Sequence, residues 1–163
     1  MIKEMAQSDK RGHIAYTEEE LLFGIKMMEG LSKITDMLLY FLDRKNIKFT
    51  YIIIQVDDET FGSLLREQKR TTDILISIDE EKGVYAIVGQ ETDVEGGYHF
   101  AERIMRLLEV GRGKSCLSCN VLTISTTHYD AQSIILRLLE RFLDSREKNG
   151  ETSPHKIDFF TLS

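Results

Sequence analysis

Arg70-Thr71-Thr72-Asp73 stands at the foot of a charged segment, Lys69 to Asp93, and poses the first chemical question of this sequence. An arginine offers a planar fork of donors that suits phosphates and flat polar edges. An aspartate offers acceptors only. The same spacing also arises as a surface ion pair worth well under about 1 kcal/mol, and Asp73 suits a turn ahead of a strand. The other candidates are weaker. Cys116-x-x-Cys119 lacks the second pair that structural zinc needs, and His128 would bring the ligand count only to three. A redox pair belongs at a helix N-terminus, whereas this one precedes a strand. It therefore reads as a loop, exposed and reactive within Gly111 to Cys119. Four scattered histidines form no legible Ser-His-Asp or Cys-His set, and Glu91 to Gly97 lacks the Gly-Lys of a phosphate loop.

The elements that position these residues follow from periodicity. Thr17 and Glu20 form a capping-box signature with acids in the first turn. Leu21, Ile25, Met28, Leu31, Ile34, Leu38 and Leu42 then recur at helical steps, and Gly30 marks an expected break. Phe49 to Val56 is apolar and β-branched, the pattern of a strand buried on both faces. Asp58 to Lys69 reads as a short helix. Two strands, Asp73 to Ile78 and Gly83 to Gly89, flank an acidic tip and make a hairpin. Asp93 to Gly111 is a helix with apolar Phe100, Ile104, Leu107 and Leu108. A strand begins at Asn120. A helix from Asp130 closes at Asn149 and Gly150, and Lys156 to Ser163 is a last strand.

That order predicts a single-domain α/β sandwich with a central mixed sheet flanked by helices. The expected organisation is a flexible segment over 1–16 and one domain over 17–163. The chain has 163 residues, 29% of them charged, with one Pro and 11 Gly, as in ordinary globular proteins. A net charge of −6 argues against DNA or RNA and against an anionic membrane as main partner. No apolar run approaches the ~20 residues of a membrane span, so no direct membrane insertion is expected. The N-terminal residues lack the shape of a signal peptide, and two thiols suit a reducing compartment, which together predict a cytoplasmic protein.

Placed in this order, several segments resemble the GGDEF (diguanylate cyclase-like) domain. Arg70 to Asp73 resembles the family's Arg-x-x-Asp inhibitory-site motif just before the hairpin. Tyr51 to Asp58 resembles its first strand and acidic end. Val84 to Ile104 resembles the stretch after the signature, and Glu140 to Gly150 with Lys156 to Phe160 resemble the last helix and strand. The signature itself is degenerate: Glu81, Lys82, Gly83, Val84 and Tyr85 stand where Gly-Gly-Asp/Glu-Glu-Phe is expected. The helix carrying the guanine-reading Asn and Asp is also missing between the first strand and Arg70.

The resemblance implies a fold of the GGDEF/nucleotidyl-cyclase kind without catalysis, with no catalytic or metal residues and no cofactor. A residual enzyme would need metal around Asp57 and Asp58 and a phosphate on Lys82. It also implies a receptor for cyclic di-GMP. Arg70 would grip guanine O6 and N7 or a phosphate, and Asp73 would accept from guanine N1 and N2. The family's second arginine corresponds to Arg103. His99 lies four residues before Arg103 on the same helix face, and Arg66 lies four before Arg70; both are expected near the ligand. In the family the ligand binds as a stacked dimer and bridges chains, so a ligand-linked homodimer and an unidentified protein partner are implied. The alternative is a nucleotide-independent interaction scaffold, in which Arg70 and Arg103 are consumed by protein acids such as Asp73 and Glu102.

Overall fold

The computed structural model describes residues 16–113, 116–151 and 157–163. Along them run α1 (Glu18–Lys45), β1 (Phe49–Val56), α2 (Phe61–Gln68), β2 (Ile74–Asp79), β3 (Val84–Gln90), α3 (Val94–Arg112), β4 (Cys116–Ile124), α4 (Ala131–Glu151) and β5 (Asp158–Leu162). This is the element order that periodicity predicts. The expected flexible segment 1–16 lies outside the described residues except for Tyr16. No helix among the described residues is long and apolar enough to cross a membrane.

The strands form one mixed sheet in the order β2-β3-β1-β4-β5. β1 is antiparallel to both neighbours, and β5 joins β4 in parallel at the edge. All eight residues of β1 are buried. Their side chains alternate between two cores, as a strand period of two requires. Phe49, Tyr51 and Ile53 meet the layer built with α1 and α4. Ile52, Ile54 and Val56 meet the layer built with α2 and α3.

α1 starts with the expected capping box: Glu20 N–H donates to Thr17 Oγ1 (3.1 Å) and Thr17 N–H to Glu20 Oε1 (2.9 Å). Its rotation differs from the expected stripe in the first half. Phe23 and Met27 are buried, whereas Leu21 and Ile25 are 56% and 53% exposed. This segment carries two adjacent apolar stripes, and the edge-to-face packing of Phe23 on Phe142 of α4 (centroids 5.4 Å apart) selects one of them. From Leu31 onward the expected and observed stripes coincide at Leu31, Leu38 and Leu42. The helix is unbroken at Gly30, which packs closely against Ile76 and Ile78 of β2. In α3, Ile104 and Leu108 are buried as expected, but Leu107 is exposed and Ala101 takes an inward place. α4 likewise runs through Asn149 and Gly150 to Glu151, because both residues keep helical backbone and do not act as stops.

The hairpin tip is closed by Gly83. Its φ of 71° lies in the left-handed region, and a Cβ there would fall 1.9 Å from the Val56 carbonyl oxygen. That approach allows Val56 N–H to donate to the Gly83 carbonyl (3.0 Å), tying the tip to the end of β1. Gly83→Ala is therefore expected to cost roughly 2–4 kcal/mol through strain and the displaced strand end. Urea denaturation measures this. An unchanged midpoint would show that the tip does not adopt this backbone.

Candidate functional site: the foot of the hairpin

α2 ends at Gln68, and Lys69 turns to extended backbone (ψ 157°), which throws Arg70 to Asp73 off the helix axis. The four residues close a turn in which Asp73 N–H donates to the Arg70 carbonyl (3.0 Å). Both oxygens of the buried Asp73 carboxylate are occupied. Oδ2 accepts from the Arg70 backbone N–H (2.9 Å), and Oδ1 accepts from Arg70 Nε (3.1 Å) and Nη2 (2.9 Å). Lys69 Nζ donates to the Arg70 and Asp73 carbonyls (3.3 and 3.0 Å). Asp73 is thus both a turn-former and a clamp on the guanidinium. The hydrogen bond to it raises the Arg70 pKa still further, so Arg70 stays charged.

The guanidinium is also held from the turn between β3 and α3. Nη2 donates to Thr92 Oγ1 (2.7 Å), and the Thr92 carbonyl accepts in turn from the Thr50 hydroxyl of β1. Arg70 Nη1 carries no protein hydrogen bond among the described residues and stays available to a ligand. The side chain as a whole remains 57% exposed.

α3 brings the remaining groups. Asp93 caps it by accepting from Gly96 N–H (2.9 Å). Gly97 lets the helix press onto the sheet: a Cβ there would lie 2.7 Å from Val121 Cγ1 and 2.9 Å from Thr50 Cγ2. This close approach sets His99 and Arg103, one turn apart, facing the Arg70 turn. Arg103 Nη2 donates to the Gln68 carbonyl (3.2 Å) at the end of α2, and its guanidinium lies over the Phe100 ring at 4.9 Å. Among the described residues no carboxylate pairs with it. His99 Nδ1 is 3.4 Å from Glu102 Oε1.

Arg70, Asp73, His99 and Arg103 consequently line one cavity of about 200 Å³, floored by Ile52, Ile87, Gly89 and Phe100. Three of the five expected site side chains come from sequence positions far apart from the other two, and four of the five converge. Arg66 does not line the cavity. The i, i+4 relation to Arg70 fails because the helix ends between them, and the exposed Arg66 instead lies near Tyr85, whose hydroxyl pKa is raised by burial and then by Glu80, with the Arg66 charge pulling it back. Thr92, Phe100 and the Gln68 carbonyl belong to the site without being legible as site groups, since each acts only through a neighbour supplied by the fold.

The opposite end of β1, about 20 Å away by strand rise, holds the residues that a phosphate-transfer site would use. Asp58 accepts from the Thr60 N–H (3.0 Å) and hydroxyl (2.9 Å) and from Arg112 Nη1 (3.2 Å). The Thr60 amide leads in holding its carboxyl below the usual range. Lys82 reaches back to Glu19 Oε2 of α1 (2.8 Å). Among the described residues no three His, Cys, Asp or Glu side chains gather as a metal would require.

The element order and the mixed five-stranded sheet define an α/β domain of GGDEF-like fold. The solved GGDEF domain of DgcB from Caulobacter crescentus, determined in complex with c-di-GMP, matches with a TM-score of 0.58 at 8% identity, over 78% of this chain and 86% of that one. At that identity the likeness speaks for the fold alone. No protein-family model matches the chain, and no curated protein does.

The cysteine pair departs from expectation. β4 begins at Cys116, so both thiols lie in the strand and are buried. A register shift at Gln55/Val56 brings Cys116 and Cys119, three residues apart, into the same core layer. Cys116 Sγ donates to the Ser118 carbonyl (3.0 Å). The Cys119 thiol's own hydrogen bond to Cys116, then burial, push it well above its ordinary range. Neither thiol is therefore expected to react with Ellman's reagent in the native protein at mildly alkaline pH, and both should react in guanidinium. Prompt native labelling would place them at the surface instead.

Proposed function

We propose that this domain is a catalytically inactive receptor for cyclic di-GMP, which binds at the Arg70 cavity and alters a contact with a partner protein. The observation that carries the reading is the convergence of Arg70, Asp73, His99 and Arg103 on one cavity at the foot of the hairpin. The GGDEF-fold neighbour solved with c-di-GMP supports the choice of ligand. Cyclic di-GMP pairs two phosphodiester charges with two guanines. Arg103, unpaired with any acid among the described residues, and the open edge of Arg70 suit a phosphate or the O6/N7 edge of guanine. The Glu81-Lys82-Gly83-Val84-Tyr85 tip, with Lys82 engaged by Glu19 and Asp58 by Arg112, supports the absence of cyclase chemistry.

Two observations favour the second reading, a nucleotide-independent interaction scaffold. Arg70 is already held by Asp73 and Thr92, and an apolar groove between α1 and α4, with Leu21, Ile25, Met28 and Leu136 in its wall, is open to a protein.

Calorimetric titration of cyclic di-GMP into the wild type, Arg70→Ala and Arg103→Ala decides between them. The receptor reading expects micromolar or tighter binding, weakened by about tenfold or more in each variant, since a good arginine–guanine pair carries ~1–3 kcal/mol. It also expects a ligand-dependent rise in melting temperature and no dinucleotide formed from GTP with magnesium or manganese. No heat and an unmoved melting temperature at high ligand would leave the scaffold.

A further inference from the structure

We propose that the Arg70 cavity continues across His99 onto an aromatic shelf that takes the second guanine of the same dinucleotide. This rests on the reading of the Arg70 cavity as a guanine-dinucleotide site.

His99 lines two cavities. On one side is the Arg70 cavity; on the other is a larger hollow of about 580 Å³ bounded by Asp93, Val94, Glu95, Tyr98 and Phe159. The wall of the second hollow is aromatic. Tyr98 and Phe159 meet edge to face with centroids 5.1 Å apart, and Tyr98 and His99 lie 6.2 Å apart at 72°. Phe159 is 52% exposed, although it sits on the edge strand beside a fully buried neighbour, Val121. Its position is rigidly set. β5 pairs in parallel with β4, and Arg141 anchors the strand through two hydrogen bonds to Asp158 (2.7 and 2.6 Å). Strand alternation then gives Phe160 to the α4 side, where Arg141 covers it, and leaves Phe159 on the α3 side. An open aromatic face held by a fixed strand is a stacking platform for a base.

Charge is distributed along α3 in the way such a ligand demands. Glu95, His99 and Arg103 follow at four-residue steps on one helix face, spanning about 12 Å of helix rise. The cationic end, Arg103 with Arg70, suits phosphate and a first guanine. The acidic end, Glu95, suits the N1 and N2 hydrogens of a guanine lying on the aromatic wall, and its carboxylate has no hydrogen-bond partner among the described residues. A single purine cannot touch both ends; two nucleosides joined through phosphates can. Asp93 is committed to its helix cap, so Glu95 is the reading group.

The chain contains no tryptophan, so Phe159→Trp places a single tryptophan, excited selectively at the red edge of its absorption, on the shelf while keeping an aromatic face. Cyclic di-GMP is titrated into the wild type, Arg70→Ala, Phe159→Ala, Phe159→Trp and Glu95→Gln, with melting curves confirming that each is folded. The expected result is binding about tenfold weaker for Phe159→Ala, a several-fold loss for Glu95→Gln, retained affinity for Phe159→Trp, and a saturable change in its emission. Wild-type affinity in Phe159→Ala and Glu95→Gln, alongside loss in Arg70→Ala, would overturn the shelf and leave the Arg70 cavity standing. A silent emission from Phe159→Trp at saturating ligand would overturn the shelf equally, even if Phe159→Ala failed to fold. Absence of binding to the wild type would remove both.

Discussion

β1 is buried along its whole length, and the rest of the molecule is arranged around that constraint. A strand whose two faces are apolar must be covered on both, and each large side chain so buried contributes roughly 1.5–3 kcal/mol. Its edges must be paired as well, because unpaired buried amides are costly. β3 and β4 take the edges, α1 with α4 cover one face, and α2 with α3 cover the other. The antiparallel pairing on both sides sends the β2–β3 hairpin back along β1. Its tip therefore stands at one end of the strand and its foot at the other.

The two ends differ in how their polar groups are disposed. At the tip, charges close on one another: Lys82 with Glu19, Lys26 with Asp79, Asp58 with Arg112. These contacts tie the hairpin and α2 to the helices. At the foot, the carboxylate of Asp73 is spent on shaping a turn and steadying one arginine, while Arg103 rests on a ring and a carbonyl. The foot keeps positive charge beside a concavity, to which the close helix approach at Gly97 brings α3. Edge strand β5 extends the same face with aromatic surface.

Much of this was legible in the residues. Thr17 and Glu20 announced α1, the β-branched run from Phe49 announced a buried strand, and Arg70 with Asp73 announced a turn with an ion pair. Arg103 and His99 were legible as a pair because helical spacing holds throughout α3. Arg66 stays outside the cavity because helical spacing does not carry past the end of α2 at Gln68. The inward face of α1 was misjudged near Leu21 because two apolar stripes compete there. Cys116 and Cys119 read as a loop in the sequence because they fit neither a zinc nor a redox pattern, while strand pairing and a bulge draw them into the core.

By itself, then, the sequence determined the succession of elements, their caps and the turn that joins Arg70 to Asp73. All of these depend on residues a few positions apart, whose hydrogen bonds and periodicity act locally. Tertiary structure decided the rotation of α1, the burial of the thiols, the bridge from Arg70 to Thr92, and the meeting of the hairpin foot with His99 and Arg103. Those outcomes depend on which faces pack together and how closely, and that is settled only when distant segments compete for the two sides of β1.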